Sequence, residues 1–86
     1  MALKLSIHRL TKLEGPGLVK AFCDVIVADI LMIKSLRVLE GQTGLFVAMP
    51  REQGRDGRAY DCVIPMSEGV RQDIERAIVR AYEAAP

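Results

Sequence analysis

The segment "SEGVRQDIERAIVRAYEA" restricts the fold more than any other. Val70, Ile74, Ala77, Ile78, Ala81 and Tyr82 recur at steps of three and four, the spacing that lines one face of an α-helix. Ser67 stands where an N-cap belongs, and Arg76 and Arg80 fall on the opposite side. A helix with one apolar face has to bury that face against something. The residues upstream mostly alternate with period two, so the partner is a sheet, and two layers suffice for one core. The expected fold class is therefore α+β, with an antiparallel sheet of about five strands and one C-terminal amphipathic helix.

The strands are read as follows. "LKLSIHRLTK" sets Leu3, Leu5 and Ile7 against Lys4, Ser6 and His8, and slips near Arg9 and Leu10, where a bulge fits. "LEGPG" turns the chain. In "LVKAFCDVIV", Val19, Ala21, Cys23, Val25 and Val27 face one way and Leu18, Phe22 and Ile26 the other. A tight hairpin is expected at Ala28-Asp29. "ILMIKSLRVLE" has branched residues that favour a strand, although Leu36 and Leu39 also suit a helix. "GQTG" turns again. "LFVAM" carries so little polar character that it is expected inside the sheet, covered on both faces, and Pro50 ends it. "REQGRDGR" is expected as a loop with its sharpest turn at Asp56-Gly57, and "AYDCVI" as a last strand ended by Pro65.

Composition narrows the function. A chain of 86 residues allows a single domain spanning 1–86 and a small core, so a partner subunit is the expected source of further burial. Two cysteines and one histidine fall short of a structural zinc site, which takes about four such ligands. Cys23 and Cys62 are read as reduced core residues. The net charge of +1 gives no bulk basic field, unlike most tight nucleic-acid binders. No apolar run is long enough to span a bilayer, and the N-terminus does not read as a signal peptide. The expected location is the cytoplasm, without membrane contact.

Catalysis finds little support. A general base needs a titratable group with an orienting partner, and His8 lies on the polar side of a strand. Asp56 and Asp61 form a nominal carboxylate pair, but Asp56 is accounted for by the Asp-Gly turn. No nucleophile setting and no phosphate-cradling loop is present. The expectation is no enzyme, no cofactor, no metal and no small-molecule substrate. "GQTG" has the outline of a GXXG nucleic-acid loop but joins strands rather than helices. "TGLFVAM" echoes an RNA-recognition strand but has Leu45 and Met49 in place of stacking aromatics, with only Phe46 left. Arg51, Arg55 and Arg58 are the serious binding candidates, because guanidinium pairs with phosphate in a bidentate fork and glycines allow close backbone approach. Glu52 and Asp56 dilute that charge, and on composition alone a solvated loop is favoured over phosphate contact. Arg76 and Arg80, one helical turn apart, fit either adjacent phosphates or an ordinary solvated face.

"IKSLRVLEGQTGLFVAMP", then "DG" and "YD", then "IP" and a helix with Tyr82 near its end, resembles the stage V sporulation protein G (SpoVG) family of bacteria. That family's pattern reads like "hDIRVIDGxxGLFVAMPS…DGxFRDIAHPI" followed by a helix. "GLFVAMP" is reproduced unchanged, and Arg37, Val38, Gly41, Asp61 and Pro65 fall in register. The resemblance covers roughly residues 18 to 82. It implies a homodimer formed through the sheet, partly by strand exchange, and a non-catalytic regulator of septation and sporulation that binds DNA and in some cases RNA. It brings forward Arg51, Arg55 and Arg58 with Arg71, Arg76 and Arg80 as contacts. The sequence departs from the pattern where "REQ" replaces a basic "SKR" and where Ile64 replaces a histidine. Nor does "EAAP" continue into the basic tail of some members. The rival reading is a protein-interaction module of the division machinery that needs no nucleic acid.

Overall fold

The computed structural model describes residues 3–86. Leu5–Lys12 (β1), Val19–Val27 (β2), Leu31–Gly41 (β3) and Gly44–Ala48 (β4) form an antiparallel sheet in the order β1-β2-β3-β4. Arg51–Gln53 (β5) and Ala59–Asp61 (β6) pair only with each other, as a separate two-stranded hairpin. Glu68–Ala84 (α1) follows and packs on β1, β3 and β4. The architecture is α+β, as expected, with four strands in the main sheet rather than about five.

Alternation decides which side of the sheet the helix takes. Ala21, Cys23, Val25, Leu36, Val38 and Val47 are buried on the inner face and close on Ile74 and Ile78 of α1. Their immediate neighbours Phe22, Arg37 and Phe46 point to the other side. The register of the ladder shifts at three points. One lies between Ile7 and Arg9 in β1, close to the expected slip, a second between Ile33 and Leu36 in β3, and a third between Val19 and Ala21 in β2. In the second, Ser35 takes φ 67° and its N–H donates to Asp24 Oδ1 at 2.9 Å. An extra residue in one strand would otherwise turn every later side chain to the wrong face.

The β2–β3 hairpin turns at Ala28 and Asp29, both with positive φ (53° and 61°). The Ile30 N–H donates to the Val27 carbonyl at 3.0 Å. Two left-handed residues give the turn whose twist matches the flanking strands. At the start of α1, Ser67 accepts from the Val70 N–H at 3.2 Å, as the sequence suggests. The last turn of the helix carries no basic residue of its own. Lys12 at the end of β1 supplies one instead. Its Nζ donates to the Ala85 carbonyl at 2.8 Å and lies 4.5 Å from the centre of the Tyr82 ring, where a cation is favoured both by the helix end and by the ring.

Three expectations need correction. β4 is an edge strand, bonded to β3 alone, and Phe46 at its centre is 43% exposed. An apolar run reads the same in a central strand and in an edge strand whose open side awaits a partner. The "REQGRDGR" stretch is half strand, because Arg51, Glu52 and Gln53 pair with Asp61, Tyr60 and Ala59. Their all-exposed pattern offers no hydrophobic alternation to read. The strand expected through Ile64 stops at Asp61, and Cys62 is exposed rather than in the core. Cys62 has left the ladder beyond its N–H, which donates to the Pro50 carbonyl at 3.1 Å.

Candidate nucleic-acid interface

The β5–β6 hairpin is built to project two arginines. The Gly54 N–H donates to the Arg58 carbonyl at 2.8 Å and the Gly57 N–H to the Gly54 carbonyl at 3.1 Å, closing a four-residue turn. Gly57 has φ +81°, and a Cβ on Gly54 would fall 2.7 Å from the Tyr60 ring. Both positions therefore call for glycine. Asp56 caps the turn, accepting from the Arg58 N–H at 2.9 Å and from the Tyr60 hydroxyl. The Tyr60 hydrogen bond first, then the Arg58 N–H, hold the Asp56 carboxyl below its ordinary range, and the same contact raises the Tyr60 phenol. Arg55 and Arg58 stand exposed on this turn and form no ion pair among the described residues.

Arg51 is held differently. Its Nε lies 3.0 Å from Asp61 Oδ1 and its Nη2 donates to the Ala59 carbonyl at 3.2 Å. It therefore braces β5 against β6.

The helix arginines divide as well. Arg71 is clasped by Glu68 at 2.6 Å and Glu75 at 2.8 Å, with Nε and Nη2 both on the Glu68 carboxylate. Hydrogen bonding to Glu68 and then Glu75 pushes its pKa above the ordinary guanidinium value, and the Glu68 carboxyl is lowered in return. Arg76 meets Asp73 at 2.6 Å. Arg80 has no ion pair among the described residues. The spacings i, i+3 and i, i+4 announce these pairs in the sequence. The six candidate arginines are thus three pinned (Arg51, Arg71, Arg76) and three open (Arg55, Arg58, Arg80).

The two groups do not share a surface within one chain. α1 covers the inner face of the sheet. The hairpin borders the outer face, across a cleft of about 590 Å³ lined by Phe22, Ser35 and Arg37 from the sheet and Pro50, Arg51 and Gln53 from the hairpin. Arg80 therefore lies on the far side of the sheet from Arg55 and Arg58.

Sequence reasoning passed over Phe22 and Arg37 as members of a site. Phe22 sits directly across from Arg37, and Leu39 directly across from Phe46. The alternation of β2 already pointed Phe22 away from the core, but only the register places it on the same surface as Phe46.

Among the described residues, no helix is long and apolar enough to cross a membrane. The SpoVG family profile matches residues 4–84. A protein of Symbiobacterium thermophilum, named for septation as SpoVG, is 39% identical over 82 residues, which is 95% of this chain and 59% of that protein. Proteins of the same name are 37% identical in Staphylococcus saprophyticus and 36% identical in Staphylococcus carnosus. Each of these matches spans 81 residues and 94% of this chain, and covers 80% and 76% of the two proteins respectively. The chain thus spans less than two thirds of the length of the Symbiobacterium relative. With a profile match that spans every element from β1 to α1, and relatives 36–39% identical over nearly its whole length, this chain belongs to the SpoVG family.

Proposed function

We propose that the chain is a non-catalytic, nucleic-acid-binding regulator with a role in septation and sporulation, acting in the cytoplasm as a homodimer on DNA and also on RNA. The observation that carries the proposal is the hairpin tip, where Arg55 and Arg58 project without carboxylate partners among the described residues. Unpaired guanidinium groups on a glycine turn suit phosphate contact. The septation role comes from the names of the relatives. The free edge of β4 supports the dimer, since an unpaired ladder of N–H and C=O groups is a ready site for a second strand. Pairing along Gly44–Ala48 would extend the sheet and double the hairpins.

Two open arginines from each of two hairpins would neutralise four phosphates. Log affinity for duplex DNA is then expected to fall with log salt at a slope of about −3 to −4. Gel shifts from low to moderate salt read this slope, and a flat response or no shift defeats the phosphate reading. The variants Arg55→Ala and Arg58→Ala are expected to flatten the slope by about one unit per phosphate lost. Arg71→Ala and Arg76→Ala are expected to leave it nearly unchanged. Sizing at micromolar concentration tests the dimer, and a monomer there removes it. Retained binding to division proteins with no affinity for any nucleic acid selects the interaction module instead.

A further inference from the structure

The outer face of the sheet is covered by no strand or helix among the described residues, and its chemistry is mixed in a particular way. Phe22 is 41% exposed, Phe46 43% and Leu18 70%. Arg37 lies opposite Phe22 on the neighbouring strand. From strand spacing and rise, the two rings are on the order of 12 Å apart, two strands across and two residues along. Each borders a hollow. The cleft of about 590 Å³ reaches Phe22 and Arg37, and another of about 650 Å³ is lined by Leu18, Leu39 and Phe46. The charge on and around this face is mixed, with cations at its centre. Arg9 pairs across the ladder with Asp24, which also accepts from the Ser35 N–H, while Glu52 lines the first hollow beside Arg51 and Glu40 lines the second. Lys34 in the β3 bulge and Arg37 have no ion pair among the described residues.

Flat apolar rings set among unpaired cations fit a ligand that is itself a string of flat rings on an anionic backbone. Single-stranded nucleic acid is such a ligand, because every base offers a π-face and every linkage a phosphate. A duplex is not, since its bases are already stacked on each other. A second copy of this chain is disfavoured on charge. A two-fold contact would set Arg37 and Lys34 of one protomer against the same patch of the other.

We propose that the open face of the sheet binds single-stranded nucleic acid, stacking bases on Phe22 and Phe46 while Arg37 holds the intervening phosphates. The proposal rests on the nucleic-acid reading above, but it adds base contact at a surface the arginine hairpin only borders. Strands of RNA and DNA share the chemistry it uses.

The chain has no tryptophan, so Phe46→Trp installs a single reporter at the stacking position. Titration with an oligothymidylate of about twelve residues should quench its emission, while a duplex of equal length should leave it unchanged. In gel shifts, the double variant Phe22→Ala/Phe46→Ala should lose at least about tenfold in affinity for the single strand, the loss expected when two base–aromatic stacks are removed. It should keep its duplex affinity within about twofold. Phe22→Tyr/Phe46→Tyr should bind the single strand as the parent chain does, which separates loss of a stacking ring from loss of the fold. Equal losses on both probes, or no loss on the single strand, overturn the proposal. So does a shift from dimer to monomer in the alanine variant, which would put a second copy on this face. If the parent chain shifts duplex but not single strand, this inference fails and the hairpin reading stands. If it shifts neither, both fail.

Discussion

The inner and outer faces of the same four strands hold side chains of similar character in opposite surroundings. Ala21, Cys23 and Val25 are sealed beneath Ile74 and Ile78, while Phe22, one residue along from Ala21, is exposed. Phenylalanine is far more apolar than alanine, yet it is the alanine that is buried. Burial follows the face that α1 occupies, and hydrophobicity alone does not predict it. Large apolar side chains left on the uncovered side are therefore informative in a way that the sealed ones are not.

The largest expected effect sharpens that contrast. Ile78, fully buried, when changed to alanine should lower unfolding free energy by about 2–5 kcal/mol, the range for a large-to-small core change. Phe46→Ala on the open face should cost far less, and urea denaturation of both compares the two faces directly. Equal losses would mean that the outer face is also buried, by a partner. The next effect concerns the two thiols. Burial first and Asp24 second push the Cys23 thiol up to about 11, so its thiolate fraction at pH 8 is on the order of 0.1%. Cys62 is exposed. A thiol reagent should modify one cysteine per native chain and the second only in denaturant, and rapid modification of both would contradict a sealed inner face.

A smaller effect is expected at the start of the helix. Ser67→Ala removes the acceptor for the Val70 N–H and should cost about 1 kcal/mol, visible as a lower denaturation midpoint with an unchanged slope. The smallest lies in the hairpin. Asp56 has its carboxyl pKa lowered in the folded chain. Its contribution is thus complete above the ordinary aspartate range and is lost as pH falls through the folded value. Amide protection in β5 and β6, taken relative to the intrinsic exchange rate at each pH, should fall on acidification below about pH 4 while the amides of β2 and β3 stay protected. Asp56→Asn should abolish that pH dependence.

Much of the covered side was legible in the sequence. The steps of three and four from Val70 to Tyr82 gave the helix, Ser67 its cap, and the alternation of β2 its buried set. Each is a local pattern that reflects a single face. The open side was harder to read. β5 and β6 are three residues each and exposed throughout, so no periodicity distinguishes them from a loop. Whether β4 sits at the edge depends on which strands pair, and its own residues do not say. The pinned state of Arg71 and Arg76 was available from Glu68, Glu75 and Asp73 at helical spacing. The pairing of Arg51 with Asp61 was not, because it depends on the hairpin register. The meeting of Phe22 and Phe46 on one surface required the full β2–β3–β4 alignment.

The helix follows the sheet it covers in the order of synthesis. Every strand of the main sheet precedes α1 in the chain, so the apolar lining leaves the ribosome before the helix that shelters it. At about 5–20 residues per second, the seventeen residues of α1 take on the order of a second or more to be made. During that interval a nascent chain would present Leu36, Val38 and Val47 to whatever chaperone stands at the exit tunnel.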